Sequence, residues 1–213
     1  MKKTKKGLFI VFEGIDGCGK GTQLKLAHNY LWGLSKGIDI LTTREPTRDF
    51  SQIRERMKKG KNVLDDREWY AKMFIADRTS HCRDHISPAL ERGTHVLCDR
   101  YKHSTLTYQH TQGMDFQKLV EMHSNKEILV PDLTLIYDCP AEVAFERRRK
   151  EGATDVFERD LGFQENLREN YLELPERLPE ENIKIIDSTP SIEGVFEETK
   201  KHLDSLLLFQ NRK

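Results

Sequence analysis

FEGIDGCGKGTQ, residues 12–23, is the stretch on which the rest of the chain is read. It follows directly on the apolar run LFIVFE (8–13) and opens a helical pattern in which Leu24, Ala27, Leu31 and Leu34 recur at helical spacing. Gly14, Gly17, Gly19 and Lys20 complete the pattern G-x-x-x-x-G-K between a strand and a helix. Glycines there let backbone N–H groups wrap phosphate oxygens, and the start of a helix adds positive potential. Lys20 brings a full charge for the β and γ phosphates of a nucleotide. A plain strand-to-helix turn needs neither four glycines nor the lysine, so Gly14, Ile15, Asp16, Gly17, Cys18, Gly19, Lys20, Gly21 and Thr22 are read as a phosphate-binding loop. The hydroxyl that usually ends this motif is displaced from position 21, a glycine, to Thr22.

Outward from this loop, short apolar runs alternate with helical patterns. IDILTT (38–43), THVLCD (94–99), LTLIYD (133–138) and IKIID (183–187) read as further strands. Helices are expected at about 47–58, at 66–91 with a bend near Pro88, at 115–126, at 141–151, up to Pro179 and at 191–209. Strands alternating with helices imply an α/β fold, a parallel sheet covered on both faces. Ligands in such sheets gather beyond the carboxyl ends of the strands. No linker divides the 213 residues, and one domain is expected over 1–213, with a basic tail at 1–6.

Lysine plus arginine balance aspartate plus glutamate at 35 each, which argues against a general nucleic-acid binder. No apolar run approaches a membrane span, and no signal-peptide core follows the N-terminal lysines. The four scattered cysteines fit reduced thiols in the cytoplasm.

The ends of the other strands carry the remaining chemistry. Asp99-Arg100 closes the third, and an acid there, beside a phosphate loop, is where a magnesium-orienting carboxylate belongs. Arg44-Glu45-Pro46 follows the second. Phe74 and Arg78 share a helix face; on spacing alone they read as a half-buried ring beside a solvated arginine. Ser104, Thr105, Tyr108 and Gln109 form a hydrogen-bonding cluster able to read a base or sugar. Arg147, Arg148, Arg149 and Lys150 have the plain reading of a solvated helix face; in a phosphoryl-transfer enzyme such a segment can close over the transferred group. His81 and His85, at i and i+4, lack a third ligand at metal-site spacing.

FEGIDGCGKGTQ, TREP (43–46), MFIADR (73–78), DRYKHSTLTYQ (99–109), PDLTLIYD (131–138) and the arginine-rich stretch with FE at 157–158 together resemble the thymidylate kinases, P-loop nucleoside-monophosphate kinases that make dTDP from dTMP and ATP. The similarity runs over about residues 8 to 205. It implies a three-layer P-loop NTPase fold with five parallel strands in the order 2-3-1-4-5, a short lid at about 147–160, and a homodimer. It also implies residue roles. Phe74 stacks on thymine, Arg78 bonds the carbonyl edge, Thr105 lies near N3, and Asp16 lies near the sugar 3′-hydroxyl and the metal. Tyr108 packs beneath the sugar, Arg44 and Arg100 hold the monophosphate, and Gln109 lies at the nucleoside site. Lys20, Arg100, Asp16 and Arg149 are the catalytic candidates, with Arg147, Arg148 and Arg159 as alternative sources of a lid arginine. Mg²⁺ is expected to be held through water by Asp99, Asp16 and Thr22.

Two departures stand out. Gly21 replaces the family's serine and gives the GKGT of adenylate kinases. Asp155-Val156-Phe157-Glu158 replaces the D-R-F-E of many bacterial lids, so the lid arginine must come from elsewhere. Other classes fit less well. A kinase for another deoxynucleotide or a deoxynucleoside stays open, and a deoxynucleoside kinase would need a base such as Glu13. A GTPase switch lacks N-K-x-D, since Asn125-Lys126-Glu127-Ile128 fails at its fourth position. A degenerate nucleotide-binding regulator is suggested only by Gly21 and Val156.

Overall fold

The computed structural model describes residues 6–58, 66–150 and 160–212. Five parallel strands, β1 (Phe9–Glu13), β2 (Ile40–Arg44), β3 (His95–Asp99), β4 (Leu133–Asp138) and β5 (Ile183–Asp187), lie in the order β2-β3-β1-β4-β5. β1 runs centrally, with Ile10 opposite Leu97 on one side and Leu133 on the other.

Both faces of the sheet are covered, and β1 shows why the fold closes around it. Successive side chains of a strand point to opposite faces. Ile10 and Phe12 enter one apolar cluster with Leu24, Ala27 and Leu31 of α1 (Lys20–Leu34) and Val195 and Leu203 of α10 (Ile192–Arg212). Phe9 and Val11 enter the other, with Cys82, Ile86, Ala89 and Leu90. β3 divides the same way, Leu97 to the first cluster and Val96 and Cys98 to the second.

α2 (Ser51–Lys58) starts four residues later than the pattern suggests. The intervening loop is held instead by α3 (Arg67–His81), whose Asp77 carboxylate accepts from the Thr47 N–H at 2.8 Å and from the Thr47 hydroxyl. The long helical stretch changes character before Pro88. It loosens into a π-turn at Cys82–Ile86, where the Ser87 N–H donates to the Cys82 carbonyl, before α4 (Ser87–Glu91) takes over. Pro88, with no N–H to give, sits in the first turn of α4, where that loss matters least.

One helix was not expected: α5 (Lys102–Thr111). Then come α6 (Phe116–Met122), α7 (Ala141–Lys150), α8 (Leu161–Leu172) and α9 (Leu174–Arg177). No helix among the described residues is long and apolar enough to cross a membrane.

Candidate active site

The carboxyl ends of β1, β2 and β3 open into a cleft of ≈ 1080 Å³. Its floor is the loop between β1 and α1. Gly14, Gly17 and Gly19 take φ of 133°, 90° and 92°. At Gly14 a Cβ would lie 2.5 Å from the Tyr137 carbonyl oxygen, and at Gly17 it would lie 2.2 Å from that of Ala144. These glycines therefore serve close packing as well as backbone freedom. The first turn of α1 carries no acidic residue and no side-chain cap, so no side-chain charge offsets the positive potential at the start of the helix.

Lys20 is buried, its Nζ 3.3 Å from the Ile15 carbonyl and 3.4 Å from Asp16 Oδ1. Asp16 Oδ1 also accepts from Arg100 Nη2 at 2.7 Å, and Oδ2 accepts from the Tyr108 hydroxyl at 3.3 Å. Burial alone would raise the Asp16 carboxyl; the Arg100 and Lys20 charges outweigh it and hold the group well below the usual carboxylate range. Arg100 is aimed by its backbone, a non-glycine residue at φ 68° whose N–H donates to the Phe12 carbonyl at 2.9 Å. Arg44 crosses from the end of β2 to Asp99 Oδ2 at 2.5 Å.

The other Asp99 oxygen, Oδ1, is buried with no hydrogen-bond partner. Asp99, Asp16 and Thr22 all line the cleft. Among the described residues no three His, Cys, Asp or Glu side chains converge as a metal cage. A partnerless carboxylate oxygen beside a phosphate loop, without a cage, suits a hydrated divalent cation held chiefly by phosphate oxygens and water.

Of the arginine run, Arg147 and Arg148 line the cleft. Arg147 donates to the Ser188 carbonyl at 3.0 Å. The Arg148 side chain lies over the loop glycine, its Cγ 2.9 Å from where a Gly17 Cβ would be. Arg149 pairs with Glu146 at 2.8 Å on the exposed face, away from the cleft lining. Arg159 and the stretch 155–158 lie outside the described residues.

Of the nucleoside candidates, Tyr108 belongs with the first group, the Arg100 guanidinium lying over its ring at 5.4 Å, and Thr105 and Gln109 are on the same helix. Phe74 is half-buried and stacks near Tyr70, with ring centroids 6.1 Å apart. Arg78 reverses the reading as a solvated residue: it is 1% exposed, among the most buried side chains described. It donates to Glu45 Oε2 at 2.8 Å and 2.7 Å and to the Thr105 hydroxyl at 3.2 Å. Gln109 is buried, bonded through Nε2 to Gln112 at 3.4 Å, and its Oε1 has no partner.

Sequence reasoning missed Glu45 as a site element. Buried at the end of β2, it ties the loop carrying Arg44 to the helix carrying Phe74 and Arg78, and accepts from His81 Nδ1 at 3.1 Å. The signal was present in the acid directly after Arg44. His81, set aside as a metal ligand, bonds Glu45 and the Thr43 hydroxyl, the latter at 2.8 Å. Glu13, considered as a catalytic base, is 0% exposed. It accepts from the backbone N–H groups of Tyr101 and Ser104 and the hydroxyls of Ser104 and Tyr171. A carboxylate so enclosed and so fully bonded does not reach a substrate hydroxyl.

A central parallel sheet, a glycine-lined phosphate loop and cations converging at the strand ends define a P-loop kinase fold. The family model described as thymidylate kinase matches residues 12–199. The chain is 37% identical over 195 residues to a probable thymidylate kinase of Pyrococcus horikoshii, spanning 89% of this chain and 92% of the relative. It is 39% identical over 215 residues to the thymidylate kinase of Syntrophus aciditrophicus (93% and 94%), and 35% identical over 211 to that of Shouchella clausii (96% and 98%). The chain belongs to the thymidylate kinase family.

Proposed function

We propose that this chain transfers the γ-phosphoryl group of ATP to dTMP, giving ADP and dTDP. The observation that carries the reading, beyond family membership, is that Arg44 and Arg100 flank Lys20 in one cleft while Glu13 is sealed. A phosphate monoester has its second pKa at about 6, so the acceptor arrives largely dianionic and needs no base. What it needs is cations that bring two anions into line.

In this reading the loop 14–22 and Lys20 hold the ATP phosphates, and Arg44 and Arg100 hold the acceptor phosphate. Asp16 and Tyr108 face the deoxyribose, and Phe74, Arg78, Thr105 and Gln109 face the base. Asp99, with Asp16 and Thr22, would hold a hydrated Mg²⁺, which when bound neutralises charge on the phosphates. Arg148 of α7 closes over the transferred group as part of a short lid at about 147–160, which excludes water. The proposal includes one kinase domain over 1–213, acting as a homodimer in the cytoplasm.

Two measurements test this. Coupled ADP release should depend on dTMP, be weak or absent with dCMP, dGMP, AMP and thymidine, and stop when EDTA removes the divalent ion. ATP binding without dTMP-dependent turnover overturns the kinase reading, and turnover with thymidine overturns the argument from Glu13. Light scattering after gel filtration should return twice the chain mass; a monomer at micromolar concentration removes the dimer from the proposal.

A further inference from the structure

Arg78 owes its orientation to more than Glu45. Its guanidinium carries five N–H donors in a fixed planar fork and no acceptor. Nε and Nη2 go to Glu45, Nη2 also to Thr105, and Nη1 lies 2.8 Å from His123 Nε2. The plane is set by the Tyr101 ring, 5.0 Å from the Arg78 Cζ. His123, just past the end of α6, is 8% exposed, and its Nδ1 lies 2.7 Å from the Leu119 carbonyl oxygen.

These neighbours settle the imidazole tautomer. A carbonyl only accepts, so Nδ1 carries the hydrogen. An arginine only donates, so Nε2 carries none. His123 is thus a neutral acceptor, and burial followed by the Arg78 charge pushes its pKa down to about 3, keeping it so at any working pH. With these bonds made, one Nη1 hydrogen of Arg78 stays uncommitted.

We propose that His123 is a positioning residue for acceptor recognition: by taking one Nη1 hydrogen it leaves Arg78 a single aimed N–H for a pyrimidine carbonyl. This rests on the reading of Arg78 as the residue that meets the carbonyl edge of the base. A single aimed donor matches thymine and opposes the amino group of cytosine. Without the acceptor at 123, two Nη1 hydrogens compete and the fork can tilt toward Glu45.

Steady-state kinetics of the full chain at saturating ATP, with dTMP and with dCMP, test the idea on three variants. In His123→Leu, which fills similar space without an acceptor, the KM for dTMP should rise roughly tenfold, the loss of one hydrogen bond to a charged group. Its kcat should change less than about threefold, and its preference for dTMP over dCMP should narrow. His123→Gln, which returns an acceptor at similar reach, should recover most of both. Equal losses in the two variants, or an unchanged KM and preference in His123→Leu, overturn the proposal by reducing His123 to packing. Arg78→Lys shows which premise failed: if it leaves the dTMP preference intact, Arg78 does not read the base and the proposal falls with that reading, whereas a lost preference beside an inert His123→Leu refutes His123 alone. Should the leucine variant not fold, ¹⁵N NMR of the unsubstituted protein decides. An Nδ1–H tautomer that does not titrate between pH 6 and 8 supports the proposal, and an Nε2–H tautomer or a titration in that range overturns it.

Discussion

Replacing Arg148 by alanine is expected to lower kcat by ~10³–10⁵, the range over which arginines that stabilise the transferred phosphoryl group act in related P-loop systems. The expectation comes from geometry within a run of near-identical residues. Arg147, Arg148 and Arg149 lie in consecutive positions of α7, about 100° apart around its axis, so no two occupy the same surface. Arg148 shares a face with Ala144, whose carbonyl packs on Gly17, and the Arg148 stem lies against that same glycine. Its charge adds to those that hold Asp16 ionised. Arg147 faces the Ser188 carbonyl instead, and Arg149 turns away from the cleft toward Glu146 in solvent. Arg149→Ala should therefore stay within about threefold of the unsubstituted enzyme, an exposed pair of this kind contributing little. Single-turnover kinetics are the appropriate readout, because they separate chemistry from product release. Full rates in Arg148→Ala, or a larger loss in Arg149→Ala, refute the assignment.

Glu13→Ala is expected to destabilise the protein by ~3–5 kcal/mol, lowering Tm by about 10 °C in a chain of this size. The carboxylate receives N–H bonds from Tyr101 at 2.7 Å and Ser104 at 3.1 Å, and hydroxyl bonds from Ser104 at 2.7 Å and Tyr171 at 3.0 Å. It thereby joins β1 to the start of α5 and to α8. Truncation strips the buried Tyr101 N–H of its acceptor and leaves the Ser104 and Tyr171 hydroxyls, 3.1 Å apart, with only each other to share. Glu13→Gln keeps one acceptor oxygen but turns an NH₂ toward donors, and should lose roughly half as much. Thermal unfolding monitored by circular dichroism measures both. An unchanged Tm in Glu13→Gln with turnover abolished would return Glu13 to the chemistry.

The strands could be read from the sequence because a parallel sheet buried on both faces demands continuous apolar runs, and LFIVFE and LTLIYD are such runs. The phosphate loop could be read because its glycines answer to local geometry. α5 escaped because its buried positions include Lys102, His103, Thr105, Thr107 and Gln109, so no apolar stripe marks the face that turns inward. The same element carries Ser104 and Tyr108, which bond Arg100, and the proposed nucleoside contacts Thr105 and Gln109, so the polarity that hid the helix is what equips it in the proposed reading. The surroundings of Arg78 and Glu13 were illegible for a related reason. What a charged residue does depends on its partners, and those partners, Glu45 and His123 for one, Tyr101 and Tyr171 for the other, come from distant parts of the chain.

Gly21 behaves unlike its neighbours in the loop. Where Gly14 and Gly17 are closed to any side chain, a Cβ at residue 21 meets nothing within 4 Å. It also sits in the first turn of α1 with no left-handed backbone to excuse it, where glycine still forgoes some helix propensity against alanine. Neither packing nor folding selects for glycine here. In evolutionary terms, the GKGT and GKST forms of this loop are joined by a path that crosses no stability valley. If the metal is held as proposed, a lineage can drift between holding it with a hydroxyl and holding it through water while the scaffold stays indifferent.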